Sequence, residues 1–358
     1  MVKSVLTNKK KVLLFGPLPP PAGGISVHLA RLNHLIKEDF QIDFIDEASV
    51  VKKNVFSIKS FNPFVYLNKI FSADVLFIQT GGSALRKFHI IVGKLLSKKI
   101  IITVHGYSKV NNFFLLKVDC YFLNLCNQII VVNPYILKKL ALPINKCIVK
   151  HAFIPPLMTT ESVLPEFILT WFFESKKSGH TIFCANASRL NILNNQDLYG
   201  LDMCIQLAKL LLNNYFPISF IFIVSSLENC QYRFAIYQKL IIDLGLQHNF
   251  LLINGEFSFV RVIEQSDIVL RPTNADGDAV TIREAIYLNK PVLASDVIDR
   301  PTNTLLFKNR DMNDFYNQTI KLLSKKNIDS FFSSTQMDII SNDYRNYYSQ
   351  LINNVIYS

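Results

Sequence analysis

The sequence predicts an α/β chain of two Rossmann-like, doubly wound domains facing one another across a cleft. Three observations predict it: the length, the apolar content, and a regular alternation of strand-like and helix-like stretches. At 358 residues the chain exceeds one ordinary domain, and two domains of about 150 to 180 residues are the natural division. Half of the residues are hydrophobic and 18% are charged, which supplies two cores and excludes a disordered chain. Strand runs alternating with helical periods imply βαβ units and parallel sheets.

In the first half, strands are expected at Val12–Gly16, Gln41–Asp46, Asp74–Gln79, Lys99–Val104 and Gln128–Asn133. Helical periodicity lies between most of them, as in Ile25–Lys37 and Leu85–Lys98. The stretch His151–Pro165 breaks the pattern with three prolines, Pro155, Pro156 and Pro165. The alternation then restarts, with strands expected at Thr181–Ala187, Ile218–Val224, Phe250–Asn254, Asp267–Arg271 and Pro291–Ser295. Helices are expected over Leu201–Asn213, Tyr232–Leu244 and Ala279–Leu288, and the tail from Asp311 has helical spacing through the aromatic-rich Tyr344–Tyr357. The reading is a first domain over 1–155, a linker over 156–165 and a second domain over 166–325. A helical tail over 326–358 is expected to pack back towards the first domain. Such sheets hold ligands at the carboxyl ends of their strands.

Charge is unevenly spread. Residues 1–150 carry 21 Lys and Arg against 7 Asp and Glu, a net +14, while the remainder carries 17 against 20, a net −3. A basic half suits an anionic partner such as a pyrophosphate-bearing substrate or an anionic lipid. Nucleic acid is a poor fit, because no recognised motif or basic-aromatic stripe is present. No apolar run reaches the ~20 residues of a membrane-spanning helix, and the basic start reads as leading into a strand rather than as a secretion signal. Six scattered cysteines without metal-like spacing read as reduced thiols of a cytoplasmic protein.

Three loops carry chemistry. The first strand ends in Gly16-Pro17-Leu18-Pro19-Pro20-Pro21-Ala22-Gly23-Gly24-Ile25-Ser26. Gly23 and Gly24 allow close backbone approach at a helix start, where unpaired N–H groups and the dipole favour a phosphate. The loop lacks the GxGxxG fingerprint of nicotinamide-dependent dehydrogenases, and Asp43 and Asp46 are weak substitutes for a ribose-binding acid. His105, followed by Gly106, stands at a strand's carboxyl end. The most informative stretch runs from Asp267 through Arg271 and Asp276 to Glu284: a buried strand, a polar glycine-containing loop, then a helix. Amides near Val280 and Thr281 suit a diphosphate. A carboxylate at Glu284 can accept bonds from ribose hydroxyls, and one at Asp276 can hold sugar hydroxyls.

Asp276 and Glu284, separated by seven residues at the start of a late helix, resemble the Glu-x7-Glu element of retaining GT-B glycosyltransferases of family 4. Asn289-Lys-Pro-Val-Leu-Ala-Ser295 is similar to that family's G-x-P-V-I-A-S strand. The Gly23-Gly24 loop, His105-Gly106 and Ser188-Arg189-Leu190 fall in the family's order, so the resemblance covers nearly the whole chain. The resemblance is closest to enzymes that assemble O-antigen, capsule and other surface polysaccharides.

It implies a nucleoside-diphosphate sugar donor on the second domain. Glu284 would hold the ribose, Arg189 with the amides of Val280 and Thr281 the diphosphate, and Asp276 the sugar hydroxyls. Gly23 and Gly24 would approach the pyrophosphate, and His105 would sit near the transferred sugar. It implies transfer with retention, no cofactor and no metal, so the Asp276-Gly-Asp278 element, a metal-binding pattern in the other large glycosyltransferase fold, is not expected to serve here. The acceptor would be a polyprenyl-diphosphate-linked glycan, met on the inner face of the cytoplasmic membrane. The basic stretch Leu85–Lys99 is a candidate for lying on that anionic surface. The aromatic-rich Asn112–Leu125 reads more readily as packing against a sheet.

Two positions depart from the family pattern. Asp276 replaces a glutamate, and Tyr199 stands before Gly200 where the family has a lysine for the diphosphate, after an insertion-like Asn191–Leu198. The second cation would come from the basic first domain, Arg271 or Arg283. The alternatives are a non-catalytic nucleotide-sugar-binding partner subunit and a sugar-nucleotide epimerase of the same architecture.

Overall fold

A computed structural model describes residues 9–20, 23–106, 113–276, 279–324 and 334–358. Parts of several sequence features lie outside these: residues 1–8, Pro21 and Ala22 of the first loop, Asn112, the element's Asp278, and 326–333 of the tail. The chain forms two compact units, Met1–Ile154 with Asp338–Ser358, and Pro155–Met337.

In the first unit, strands β1 (Lys11–Gly16), β2 (Gln41–Asp46), β3 (Val75–Ile78), β4 (Lys99–Val104), β5 (Gln128–Val131) and β6 (Cys147–Val149) form one parallel sheet in the order β2-β1-β3-β4-β5-β6. Helices α1 (Gly24–Ile36), α2 (Pro63–Ser72), α3 (Ser83–Leu95), α4 (Phe113–Asn124) and α5 (Pro134–Leu140) connect them. Alternate residues of β1 serve opposite faces. Leu13 and Phe15 join one apolar cluster, and Val12 and Leu14 the other. A sheet covered on both faces reads as a continuous apolar run, which is why these strands stand out in sequence. Asn62 and Asn133 cap α2 and α5 through the N–H groups of Val65 and Ile136, with Pro63 and Pro134 as first helical residues.

In the second unit, β7 (Thr181–Ala187), a short hairpin of β8 (Ile192–Leu193) and β9 (Gln196–Asp197), β10 (Ile218–Val224), β11 (Phe250–Asn254), β12 (Ile268–Arg271), β13 (Val292–Ser295) and β14 (Thr304–Phe307) appear in chain order. Apart from the hairpin they form a parallel sheet in the order β11-β10-β7-β12-β13-β14. Helices α6 (Glu166–Lys177), α7 (Leu201–Asn213), α8 (Gln231–Asp243), α9 (Phe259–Gln265), α10 (Val280–Tyr287) and α11 (Met312–Ser324) complete the unit. The insertion-like Asn191–Leu198 is the hairpin, closed by the Leu198 N–H on the Asn191 carbonyl.

Helix α12 (Ser334–Tyr357) returns to the first sheet. Tyr348, Leu351, Ile352 and Val355 recur at helical spacing and bury against the face that carries Val12, Leu14 and Phe77. Arg345 and Ser349 on the same helix bond the Asp39 carboxylate. All six cysteines are free thiols. Among the described residues no helix is long and apolar enough to cross a membrane.

Candidate active site

Each sheet changes direction of winding once, and open α/β sheets bind ligands in the crevice at such a switch. In the second unit the switch lies between the neighbours β7 and β12, since β10 and β11 build out on one side and β13 and β14 on the other. The loop after β7 carries Ser188 and Arg189, and the loop after β12 carries Thr273 and Asp276 before α10 opens at Val280. Strand pairing thus brings Arg189, Asp276, Val280, Thr281 and Glu284 to one edge of one sheet.

Asp276 is the centre of a buried charge cluster. Arg271 donates to it through Nε (3.1 Å) and Nη2 (3.3 Å), Arg300 through Nη1 (2.9 Å), and Thr273 through Oγ1 (3.2 Å). Burial works against ionisation, but the two guanidinium groups outweigh it and hold the carboxyl down at about 2. Most of its acceptor capacity therefore faces the protein's own donors. Arg300 also bonds the Ser295 carbonyl and hydroxyl and the Thr273 hydroxyl. Arg271 lies over the ring of Tyr199, 5.2 Å from its centroid, and the Tyr199 hydroxyl pairs with Ser188 Oγ at 2.7 Å.

Arg189 is half exposed and ion-paired to the more exposed Glu228. A surface pair is weak enough to yield to a ligand. Thr281 is buried, with its hydroxyl 3.4 Å from Asn186 Oδ1 of β7, and Glu284 is buried one turn further along α10. The Ile282 N–H already donates to the Ala279 carbonyl, so the earlier amides of Val280 and Thr281 are the ones without an intrahelical acceptor.

In the first unit the switch lies between β1 and β3. Gly23 caps α1 with extended backbone, and its N–H donates to Ser26 Oγ at 2.7 Å. A Cβ at Gly24 would meet no described atom within 4 Å, and one at Gly23 would meet only Ser26 Oγ at 3.8 Å. Neither glycine is demanded by packing against the described residues or by a left-handed turn. The space beside both is open.

His105 follows β4, and its Nε2 lies 2.6 Å from Gln79 Oε1. Gln79 donates through Nε2 to Thr103 Oγ1 at 3.0 Å, so its carbonyl oxygen faces the imidazole. A carbonyl can only accept, so Nε2 carries the proton and Nδ1 is the lone-pair nitrogen. Burial, with His28 and Arg86 nearby, pushes the His105 pKa well below its ordinary value, and the ring is neutral at pH 7. The ring of His28, on α1, meets that of His105 edge-on with centroids 5.0 Å apart. The helix opened by Gly23 and Gly24 is therefore linked to His105.

The two acids weighed as ribose ligands are committed elsewhere. Asp46 accepts from the N–H groups of Leu18 and Ala48 and from Lys52, and Asp43 pairs with Lys69 and Lys11. Nearby, the Glu47 carboxylate accepts from Thr80 Oγ1 (2.5 Å) and pairs with His89 Nε2 (3.1 Å), and His89 Nδ1 lies 2.7 Å from the Tyr66 hydroxyl. Among the described residues no three His, Cys, Asp or Glu side chains are grouped as metal ligands. Gln79, His28 and Arg300 join the site without being marked by the sequence, where Tyr199 enters only as the departure from the family's lysine. Only Gln79 carried a signal, a polar residue at a buried strand's carboxyl end.

No protein-family model and no curated protein matches the sequence. Solved structures do match its shape. Anabaena HepE in complex with UDP superposes with a TM-score of 0.70 at 14% identity, over 97% of this chain and 99% of that one. A glycosyltransferase from Rickettsia africae gives 0.65 at 16% identity, over 98% and 96%. Sucrose-phosphate synthase from Thermosynechococcus elongatus gives 0.62 at 12%, over 97% and 100%. The chain has the GT-B fold. Its structural neighbours are GT-B glycosyltransferases, and HepE has also been solved with UDP-glucose. In this GT-B chain the candidate residues fall into two sets: Arg189, Asp276, Val280, Thr281 and Glu284 on the second unit, and Gly23, Gly24 and His105 on the first.

Proposed function

We propose that the chain is a retaining hexosyltransferase that moves a sugar from a nucleoside-diphosphate sugar to a lipid-linked glycan acceptor in surface-polysaccharide assembly, of the O-antigen or capsule kind. The observation that carries this reading is the β12–α10 segment at the switch of the second sheet. There a helix start with unpaired amides and a buried Glu284, with Arg189 in the loop after the neighbouring strand β7, offer the donor set a nucleoside diphosphate needs. Glu284 holds the ribose, and Arg189 with the amides of Val280 and Thr281 stabilises the charge that grows on the leaving diphosphate. On the first unit, Gly23 and Gly24 offer open backbone to a phosphate group of a substrate, and His105 presents a neutral Nδ1 to sugar hydroxyls. No metal takes part, and activity is expected to survive EDTA.

A peripheral site on the cytoplasmic face of the membrane fits the surface of α3. Phe88, Ile91 and Leu95 are exposed on a helix that also carries Lys87 and Lys94, with Leu95 78% exposed. Phe64 on α2 is exposed as well, and Tyr66 of α2 stacks on Phe88. Flotation with anionic liposomes is expected to show salt-sensitive binding that Leu95→Ser weakens.

The deciding experiment is a thermal-shift panel of UDP, GDP, ADP, CMP and NAD on wild type and Glu284→Ala. A rise with one nucleoside diphosphate, abolished by the substitution, is the expected result. A shift with NAD alone overturns the reading.

A further inference from the structure

We propose that Arg271 is the second cation of the diphosphate site, taking over the charge that Tyr199 does not carry. The inference rests on the reading of the second unit as the donor-binding half and names the side chain that completes it. The lysine expected before Gly200 is replaced by an aromatic ring, and a guanidinium sits over that ring, 5.2 Å from its centroid. An aromatic face attracts and orients a cation, arginine above all, without neutralising it. The charge missing from position 199 is thus present one side chain away.

The hydrogen bonds show which arginine is available. Arg300 uses Nε, Nη1 and Nη2, and its side chain is 2% exposed. Arg271 uses Nε and Nη2 on Asp276, and its Nη1 has no hydrogen-bond partner among the described residues. Its side chain is 11% exposed. One carboxylate shared by two guanidinium groups leaves one positive charge over, and the more accessible Arg271 is where an anion meets it. The two Nη1 protons point from a fork already locked in place, so little freedom is lost on binding. Asp276 then acts through Arg271 as a positioning residue rather than by holding sugar hydroxyls. Position supports the assignment. Arg271 ends β12 beside β7, whose following loop carries Ser188, the partner of the Tyr199 hydroxyl, and Arg189.

The test is calorimetric titration with UDP and GDP, each against its monophosphate, on wild type, Glu284→Ala, Arg271→Ala, Arg271→Lys and the double variant Arg271→Ala with Tyr199→Lys. Arg271→Ala is expected to weaken the diphosphate by about 10- to 100-fold, the worth of a charge-assisted bond, while leaving the monophosphate within about twofold. Tyr199→Lys in that background is expected to restore about tenfold. Arg271→Lys keeps the charge without the fork and stays within about tenfold of wild type, so the series is readable where the alanine chain does not fold. An unchanged diphosphate affinity in Arg271→Ala, an equal loss for mono- and diphosphate, or no recovery with Tyr199→Lys overturns the assignment. If neither diphosphate binds wild type, or if Glu284→Ala binds as wild type does, the donor-site reading itself falls.

Discussion

Gly200 packs directly against Pro272. A Cβ on Gly200 would overlap the Pro272 carbonyl oxygen and lie 2.7 Å from its Cγ. The contact joins the start of α7 to the residue after β12, and it sets Tyr199 beside Arg271. Asp197 holds the same turn from the other side, accepting from the N–H groups of Tyr199 (2.8 Å) and Gly200 (3.1 Å). Gly200 also has a φ of +73°, in the left-handed region that a side chain disfavours.

Gly200→Ala is therefore expected to destabilise the second unit twice over. The left-handed backbone alone costs about 1–2 kcal/mol with a Cβ, and the overlap is with backbone that cannot rotate away, adding about 1–3 kcal/mol. Urea unfolding should show a lower midpoint with an unchanged slope. A midpoint equal to wild type would mean that neither the left-handed turn nor the Pro272 contact constrains this position.

The strands that sequence placed to the residue, such as β2, β4, β7, β10 and β11, are bounded by polar or turn residues, and most are buried on both faces. β6 and β14 lack that signature. They are sheet-edge strands of three and four residues that remain partly exposed, so they lack the apolar run that marks a central strand. The same divide holds at the candidate site. The β12–α10 loop is contiguous, so Asp276, Val280, Thr281 and Glu284 could be read together. The pairings Asp276–Arg300 and His105–Gln79 join residues 24 and 26 positions apart, and that of His105 with His28 depends on how α1 packs. Local pattern shows which loops reach the edge of a sheet, but tertiary packing decides which arginine meets which carboxylate.

Helix α12 is held to the first sheet by burial far more than by charge. Tyr348 is buried against Phe77, whereas the Arg345–Asp39 pair is partly exposed. Tyr348→Ala is expected to cost about 3–5 kcal/mol, and Arg345→Ala about 1 kcal/mol or less. Chemical denaturation of the two variants side by side checks the order. Equal losses would mean that the ion pair anchors the helix.

His28 should give the protein an acid-labile limb. Burial, partly offset by the backbone of Ala152 and reinforced by Arg31, lowers its pKa to about 4. Below the ordinary histidine range the unfolded chain takes up a proton that the folded one refuses, so stability is present above pH 6.5 and falls as the pH drops towards 4. The contribution between pH 7.5 and pH 5 is about 2 kcal/mol. His28→Phe should remove that part of the slope, read as urea midpoints at the two pH values, and a slope identical to wild type would place the burden on other groups such as His105.

Asp276 has the opposite chemistry and acts at lower pH. Its carboxyl is held at about 2, below the ordinary 3.8, so its ion pairs contribute stability above pH 4 that is lost as the pH falls through 2. Between pH 5 and pH 3 the loss is about 1 kcal/mol. Asp276→Asn removes this dependence, and it also leaves Arg271 and Arg300 without their shared counter-charge, which costs about 3–5 kcal/mol at pH 7. The variant should therefore unfold earlier in urea at neutral pH and show a flatter acid limb. Asp276→Glu keeps the charge and should recover most of the neutral-pH stability. If Asn and Glu variants were equally stable at pH 7, the two arginines would not need the carboxylate, and its role would lie in contact with substrate instead.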